Sequence, residues 1–436
     1  MCGVLESDRF SFFYELRFNW GYQGLITMQM RNIFGTTRYA LFVACALAFG
    51  AMTSTAMAQS VSAELGKPVS AAQEAIKKQE WARALEQIKV AQGLAKTPKD
   101  NYALDSLLAY IYNQQKNYGE AVKVYERQLA SPQFPAANVE RQTKTIAQTY
   151  YSMGKYPEAV TWSKKVLDKN PGEQDLNVIV AQSYYQTKDY KNAAATALTL
   201  VDNAEKGGKA PQESWLRIAQ NSYDKMENRT EMQNVLKKII RNYQKPEDWE
   251  LLLNGYGSRM RGDDIKLNYY RLMFDIGVLK KPEDYLEMAQ LAMDVGAGDE
   301  AQAVMDSGIK SNRLKGANAT EQGRYDRVIA SAKTKSTETK AAMPKFESEA
   351  AAATNGEGLL GIGQIQIGNR NYDAAIDALQ KAIKKGGLTD ADEATIVLGV
   401  AYAKKGSKDE ARKVFKSIKK DSKWADLADL WSLRVA

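Results

Sequence analysis

The chain has 436 residues, of which 44% are hydrophobic and 26% are charged. It is therefore too apolar to be disordered throughout and long enough to bury a large core. The formal net charge is +8, but basic and acidic residues alternate along the chain. We expect a solvated basic surface and no nucleic-acid partner, since there is no concentrated basic patch, groove-entering motif or metal finger.

The N-terminal segment, residues 1–58, is predicted to be an extension followed by a secretory signal peptide. Two arginines, Arg31 and Arg38, precede the uncharged run YALFVACALAFGAM, and an A-x-A pattern ends at Ala58. The run is short for a bilayer-spanning helix, which needs about 20 residues. We expect cleavage after Ala58 and export to the periplasm. A retained anchor and lipidation of Cys45 are the alternatives.

The acidic residues Glu6, Asp8 and Glu15 are unusual ahead of an export signal. They favour a translation start at Met28 or Met30, which would give a signal peptide of ordinary length. The mass of the intact precursor tests this hypothesis.

The mature chain is predicted to have neither cysteine nor histidine. Cys2 and Cys45 both precede the cleavage site, and the whole sequence has no histidine. Disulfides, thiolate and imidazole metal ligands, and the common nucleophile–base pairs are thereby excluded. Acidic residues are spaced for pairing with lysine or arginine on helix faces, and no calcium-binding loop is present. We expect no enzymatic activity, no metal and no cofactor.

One sequence unit recurs along the chain. YIYNQQKNYGEAVKVYERQLASP begins at Tyr110, QTYYSMGKYPEAVTWSKKVLDKNP at Gln148 and QSYYQTKDYKNAAATALTLVDN at Gln182. In each copy an aromatic residue is followed three positions later by alanine, and five such pairs occur: Trp81 and Ala84, Tyr118 and Ala121, Tyr156 and Ala159, Tyr190 and Ala193, Tyr372 and Ala375. A further unit runs over residues 398–415.

Each unit is predicted to be a pair of helices. In the copy at 146–171, apolar residues recur at helical spacing on both sides of Gly154, and Pro171 ends the second stretch. Small side chains at the crossing let antiparallel helices approach closely, and the aromatic beside the turn fills the wedge between them. The recurring residues therefore indicate architecture rather than catalytic chemistry.

This pattern resembles the tetratricopeptide repeat family, whose repeats combine Leu, Gly or Ala, Tyr, Ala and Pro at fixed spacing. The pattern is carried here by two sets of residues: Leu108, Ala109, Tyr112, Tyr118, Ala121, Tyr125 and Pro132, and Leu398, Gly399, Tyr402, Ala411, Phe415 and Ile418. The resemblance implies an all-α solenoid of helix pairs with a right-handed superhelix.

Two repeat arrays are expected, separated by a divergent segment. Residues 59–310 are predicted to form an N-terminal array. Residues 311–356 are predicted to form exposed helices broken near Pro344, or a flexible joint. Residues 357–436 are predicted to form a repeat pair with a capping helix. Its apolar stripe includes Trp424 and Trp431, for which ligand stacking is the alternative.

A row of glutamine and tyrosine is the candidate binding site. The resemblance implies that the first helix of each pair lines a concave surface that binds peptides or proteins. Glutamine and tyrosine recur three residues apart on these helices: Gln148 and Tyr151, Gln182 and Tyr185, Gln220 and Tyr223. Gln290 continues the glutamine row, and Tyr110 with Asn113 approximates it. Glutamine offers a donor and an acceptor to a peptide backbone, and tyrosine adds contact area.

Two basic residues, Arg141 and Lys144, add positive charge beside this row and favour an acidic segment or a chain carboxylate. The alternative is that the row is inherited packing, in which the glutamines bond between neighbouring helices.

We therefore expect a non-enzymatic scaffold in the cell envelope that binds a protein or peptide partner. The whole mature chain is also similar to exported tetratricopeptide proteins of diderm bacteria, some associated with TonB-type systems. One alternative is therefore an accessory component of a TonB-type energy-transducing transport system, associated with a membrane complex. The other is a protein that binds or processes envelope polysaccharide or cell wall.

Overall fold

The computed structural model describes residues 62–316 and 318–436, and this part of the chain is all-α. It contains 20 α-helices and three short 3₁₀ helices, and no strand. The predicted signal peptide, its cleavage site at Ala58 and the alternative starts at Met28 and Met30 lie outside the described residues. Among the helices that are described, none combines the length and the apolar character needed to cross a membrane.

The chain divides into two compact units, one ending at Arg229 and the other beginning at Thr230. The sequence predicts a different division, into residues 59–310, 311–356 and 357–436. It is based on where the repeat pattern is strong or weak, and not on which helices pack into a compact unit. Those boundaries stay a prediction.

The first unit is built from helices connected by short turns, each packed against the next. Its helices are α1 (Gly66–Lys77), α2 (Trp81–Leu94), α3 (Pro98–Gln114), α4 (Tyr118–Ala130), α5 (Val139–Ser152), α6 (Tyr156–Leu167), α7 (Gln174–Gln186), α8 (Tyr190–Lys206) and α9 (Glu213–Lys225). The division between the units falls after the first residue of α10 (Arg229–Tyr243).

The second unit continues with ten helices of more varied length. They are α11 (Pro246–Asn254), α12 (Asp263–Ile276), α13 (Pro282–Asp294), α14 (Gly298–Lys310), α15 (Ala319–Ala352), α16 (Glu357–Gly368), α17 (Tyr372–Lys385), α18 (Ala391–Lys405), α19 (Lys408–Lys416) and α20 (Ala425–Arg434).

The aromatic residue of each predicted unit is the first residue of a second helix. Helices α2, α4, α6, α8 and α17 begin at Trp81, Tyr118, Tyr156, Tyr190 and Tyr372. The alanines three residues later are fully buried: Ala84, Ala121, Ala159, Ala193 and Ala375. A larger side chain at these positions would push the two helices of the pair apart. The predicted all-α repeat architecture is confirmed.

A single left-handed residue turns the chain from the first to the second helix of each pair. It stands two positions before the second helix and has positive φ in eight pairs: Gln79, Lys116, Gly154, Lys188, Glu227, Gly296, Arg370 and Gly406. The next backbone N–H closes the turn, as when Lys155 N donates to Tyr150 O over 2.9 Å. We call it the turn residue, and positions on the first helix are counted back from it.

The segment expected to break near Pro344 is instead one helix of 34 residues, α15. The expectation was wrong because a proline removes only one helical hydrogen bond, while α15 is anchored on both sides of it. Before the proline, the Thr339 hydroxyl donates to Gly296 O over 2.9 Å. After it, Lys385 Nζ donates to Ala350 O over 2.9 Å.

The C-terminal helix α20 buries its apolar stripe. Trp424 and Trp431 are 0% and 1% exposed. The Trp424 indole N–H donates to Asp390 Oδ2 over 2.8 Å, and that of Trp431 to Asn268 O over 3.1 Å. Neither ring is open to a stacking ligand, so the two tryptophans pack the end of the second unit.

Candidate peptide-binding face

Three consecutive first helices of the first unit, α5, α7 and α9, carry the predicted row. Helix α5 contacts α7, and α7 contacts α9. On α5 and α7 the glutamines Gln148 and Gln182 stand six positions before the turn residue, and the tyrosines Tyr151 and Tyr185 stand three before it. Residues three apart share one side of a helix. We call this surface of α5, α7 and α9 the first-helix face.

On α9 the predicted residues are out of register by one position. Counted back from its turn residue Glu227, the equivalent positions hold Asn221 and Asp224, rather than Gln220 and Tyr223. One residue corresponds to about 100° of rotation around a helix. Asp224 therefore continues the row of Tyr151 and Tyr185. All three helices contain the dipeptide Ala-Gln, and aligning the repeats on it does not reveal that α9 has one more residue between this dipeptide and its turn.

Two of the three predicted glutamines are buried. Gln182 is 3% exposed, and its amide oxygen accepts a hydrogen bond of 2.7 Å from the Tyr151 hydroxyl. Gln220 is buried, and its amide oxygen accepts a hydrogen bond of 2.9 Å from Arg217 Nη1. Gln148 is half-buried, and its side-chain amide makes no hydrogen bond within the described ranges. The structure thus joins Tyr151 to Gln182 and leaves Gln148 as the amide that a ligand can reach.

The tyrosines form edge-to-face pairs with the aromatic residues of the turn. The ring centroids of Tyr151 and Tyr156 are 5.8 Å apart, and those of Tyr185 and Tyr190 are 5.4 Å apart. Burial, with the charges of Tyr190 and Asp224, raises the pKa of Tyr185 to about 12. The hydroxyl therefore stays protonated at neutral pH, and the partly exposed ring is held rigid.

The positive charge predicted beside the row is largely neutralised. Lys144 Nζ lies 2.8 Å from Glu140 Oε1 and 2.9 Å from Glu173 Oε1. Hydrogen bonds to these two carboxylates raise the pKa of Lys144. Arg141 is exposed, and its Nη2 donates a hydrogen bond of 3.2 Å to Asn138 Oδ1. Binding of a ligand by either residue stays a prediction.

In the second unit, the glutamines at the same repeat position form hydrogen bonds with other side chains of the protein. Gln364 stands six positions before the turn residue Arg370 and is buried. Its amide oxygen accepts a hydrogen bond of 3.2 Å from Arg271 Nη1 of α12, and its amide nitrogen donates one of 3.1 Å to Glu393 Oε1 of α18. Gln290, also six before its turn residue, donates to Asp294 over 2.8 Å. Gln364 is therefore an internal partner, whereas Gln290 is exposed and stays a predicted member of the row.

No metal centre is apparent in the part of the chain that the structure describes, where no three acidic, cysteine or histidine side chains are grouped to hold an ion. Repeated helix pairs and a face of rigid tyrosines define the class: a helical-repeat protein whose exposed face is suited to interaction with other proteins.

Two family models match this chain. The model described as "Anaphase-promoting complex, cyclosome, subunit 3" covers residues 114–200, and the model described as "Tetratricopeptide repeat" covers residues 360–424. The matched segments contain repeats of the tetratricopeptide type. No curated protein sequence matches it.

The solved structures that match the chain share little sequence with it. A tetratricopeptide repeat protein from Parabacteroides merdae is 14% identical, with 78% of this chain and 99% of that one covered and a TM-score of 0.30. A structure of Naa15/Naa10 bound to HypK-THB is 14% identical to this chain, with 85% of this chain and 66% of that one covered and a TM-score of 0.36. A TPR2AB-domain:pHSP90 complex of yeast Sti1 is 13% identical, with 69% and 96% covered and a TM-score of 0.24.

Proposed function

We propose that this protein is an exported, non-enzymatic scaffold that binds a protein or peptide segment on its first-helix face. The observation that carries the proposal is the pair of tyrosines Tyr151 and Tyr185. They occupy the same position on consecutive first helices, and each is fixed by an edge-to-face neighbour while its ring stays partly exposed.

The chemistry of the face suits an extended chain. Tyrosine rings give large contact area at little entropic cost, and a glutamine amide both donates to and accepts from a peptide backbone. Gln148 supplies such an amide, half-buried beside Tyr151 on α5. Gln182 contributes indirectly, because its hydrogen bond fixes Tyr151 before any ligand arrives. Preorganisation of this kind lowers the free-energy cost of binding.

The envelope location rests on the predicted signal peptide of residues 1–58. A mature protein beginning at Gln59 in the periplasmic fraction, identified by its intact mass, is the expected result. A role beside a TonB-type energy-transducing complex is a narrower form of the proposal, and the identity of a captured partner tests it.

The proposal is tested by crosslinked capture from envelope fractions, with the full chain as bait. We compare wild type with the double variant Tyr151→Ala/Tyr185→Ala, after circular dichroism has shown equal helix content. Trp162→Ala is the matched control, since Trp162 is a half-buried aromatic residue on the second helix α6. A partner retained by wild type and the control but lost by the double variant supports the first-helix face. Equal capture by all three proteins contradicts it.

A further inference from the structure

We infer that the segment bound on the first-helix face carries a lysine or arginine, whose cationic head group is held by Asp224 beside the Tyr185–Tyr190 pair. This inference rests on the proposed function and names the class of partner. It reverses the preference for an acidic segment that Arg141 and Lys144 indicate in the sequence.

Asp224 continues the row of tyrosines as an unpaired carboxylate. It stands three positions before its turn residue, as Tyr151 and Tyr185 do before theirs. Its side chain is half-buried and forms no hydrogen bond or ion pair across residues 62–316 and 318–436. Burial raises the pKa of Asp224, and the charge of Lys225, its neighbour in sequence, opposes this rise. A carboxylate partly withdrawn from water without a partner favours a cationic ligand.

The neighbouring aromatic pair favours the same kind of ligand. Tyr185 and Asp224 occupy the same repeat position on the contacting helices α7 and α9, which places the two groups close together. In agreement, the negative charge of Asp224 contributes to the raised pKa of Tyr185. The ring of Tyr185 meets that of Tyr190 edge to face at 5.4 Å. Tyrosine ring faces attract ammonium and guanidinium groups. One carboxylate beside two tyrosines therefore matches a lysine or arginine side chain and repels an acidic one.

Two cations of the first-helix face are already paired with carboxylates of the chain. Lys144 is neutralised by Glu140 and Glu173, and Arg217 is paired with Glu213 at 2.8 Å. On α5, α7 and α9, the charged groups without an ion pair among the described residues are the carboxylates of Asp175 on α7 and Asp224 on α9, the guanidinium of Arg141 and the ammonium of Lys225. These unpaired charges balance, so the preference for a cation comes from the half-buried carboxylate of Asp224 itself.

The test begins with a displayed library of short random peptides, selected on the full wild-type chain. The affinity of a selected peptide is then measured by fluorescence anisotropy for wild type, Asp224→Asn and Asp202→Asn. The last variant removes an exposed carboxylate from the second helix α8 and changes the net charge equally. We expect a shared lysine or arginine in the selected peptides. Asp224→Asn should weaken binding about tenfold, while Asp202→Asn leaves it nearly unchanged.

A double-mutant cycle locates the contact. Replacing the basic residue of the peptide by glutamine should weaken binding to wild type but have little further effect on Asp224→Asn. Selected peptides without a shared basic residue, or equal effects of Asp224→Asn and Asp202→Asn, overturn the inference. If Tyr151→Ala/Tyr185→Ala abolishes binding and Asp224→Asn does not, the inference fails and the proposed function stands. If neither variant changes binding, both fail.

Discussion

The hydroxyl of Tyr151 donates a 2.7 Å hydrogen bond to the amide oxygen of Gln182, and so joins the first helices of two consecutive repeats. Gln182 is 3% exposed and Tyr151 is half-buried, so the acceptor end of this bond lies inside the protein. The glutamine fixes the spacing of α5 and α7, while the tyrosine ring remains at the surface. Packing and the proposed binding are therefore divided between two residues of one row.

Removing this bond should weaken the first unit measurably. Tyr151→Phe leaves the amide oxygen of Gln182 buried without its donor, which costs about 1–2 kcal/mol of the free energy of unfolding. Urea denaturation followed by circular dichroism measures the loss. In Gln182→Leu the acceptor is absent, so adding Tyr151→Phe should cost much less. If the effects of the two substitutions are simply additive, the bond does not couple the helices.

The sequence predicts helix positions well where an aromatic residue marks the turn. Tyr118 and Tyr156 begin their helices as expected, because the residue that fills the wedge between two helices has to stand at a fixed point. The turn after α9 lacks this mark. Arg229 begins α10 at the position where the other second helices begin with an aromatic residue. Without that marker, the sequence alone does not show which positions of α9 correspond to those of α5 and α7, and so the register of Gln220 and Tyr223 was predicted wrongly.

Long-range polar contacts could not be predicted at all. Arg271 is fully buried, and its partners Glu300 and Gln364 lie 29 and 93 positions away. No periodic signal marks an arginine whose charge is satisfied from such distant parts of a chain. The continuity of α15 through Pro344 depends in the same way on contacts made at Gly296 and by Lys385.

The left-handed turn at Gly154 should tolerate only glycine without cost. Its φ is +73°, and a Cβ added there would meet no other atom within 4 Å. Any loss of stability in Gly154→Ala therefore comes from the backbone alone, and about 1 kcal/mol is expected. Gly93→Ala is the control, because Gly93 is exposed within α2 and its Cβ also meets nothing. This control should gain about 0.5–1 kcal/mol. Chemical denaturation of both variants is the measurement, and a loss in both would contradict the turn argument.

The buried arginine of α12 should be costly to remove alone. Arg271 Nη2 lies 2.6 Å from Glu300 Oε2, and Nε lies 2.9 Å from Oε1. Arg271→Leu leaves that carboxylate unpaired, which should destabilise the second unit by about 3–5 kcal/mol. Hydrogen exchange of the α12 amides measures the effect. Arg271→Leu/Glu300→Leu should recover most of the loss, because no charge is then buried alone. Equal protection in the single and double variants would show that the charge pair does not matter.

Helix α15 should detach when a methyl group is added at Gly298. A Cβ there would lie 2.2 Å from Ser336 N, so the backbones of α14 and α15 approach too closely for any side chain. Gly298→Ala should therefore expose α15 to protease, and limited proteolysis is the measurement. Gly323→Ala lies within α15 itself, where the nearest atom to the added Cβ is Arg327 Nη1 at 3.7 Å. Cleavage as slow in Gly298→Ala as in Gly323→Ala would contradict the close approach.

The carboxyl group of Glu393 should make the stability of the second unit depend on pH. Burial, together with the charges of Asp264, Asp390 and Glu357, raises its pKa from 4.5 to about 7, against the opposing charge of Lys423. Between these two pH values the folded state holds a proton that the unfolded state has released. Stability therefore falls as pH rises from about 4.5 to about 7, and above pH 7 the loss is complete.

Glu393→Gln isolates this effect, because glutamine does not ionise and its amide oxygen still accepts from Gln364 Nε2 as Glu393 Oε1 does. The melting temperature of the variant should match that of wild type near pH 4 and exceed it increasingly up to pH 7. Above pH 7 the difference should be constant. Asp284, whose pKa burial also raises, is present in both proteins and cancels in the difference. A difference that stays constant from pH 5 to pH 8 would show that Glu393 does not titrate in this range.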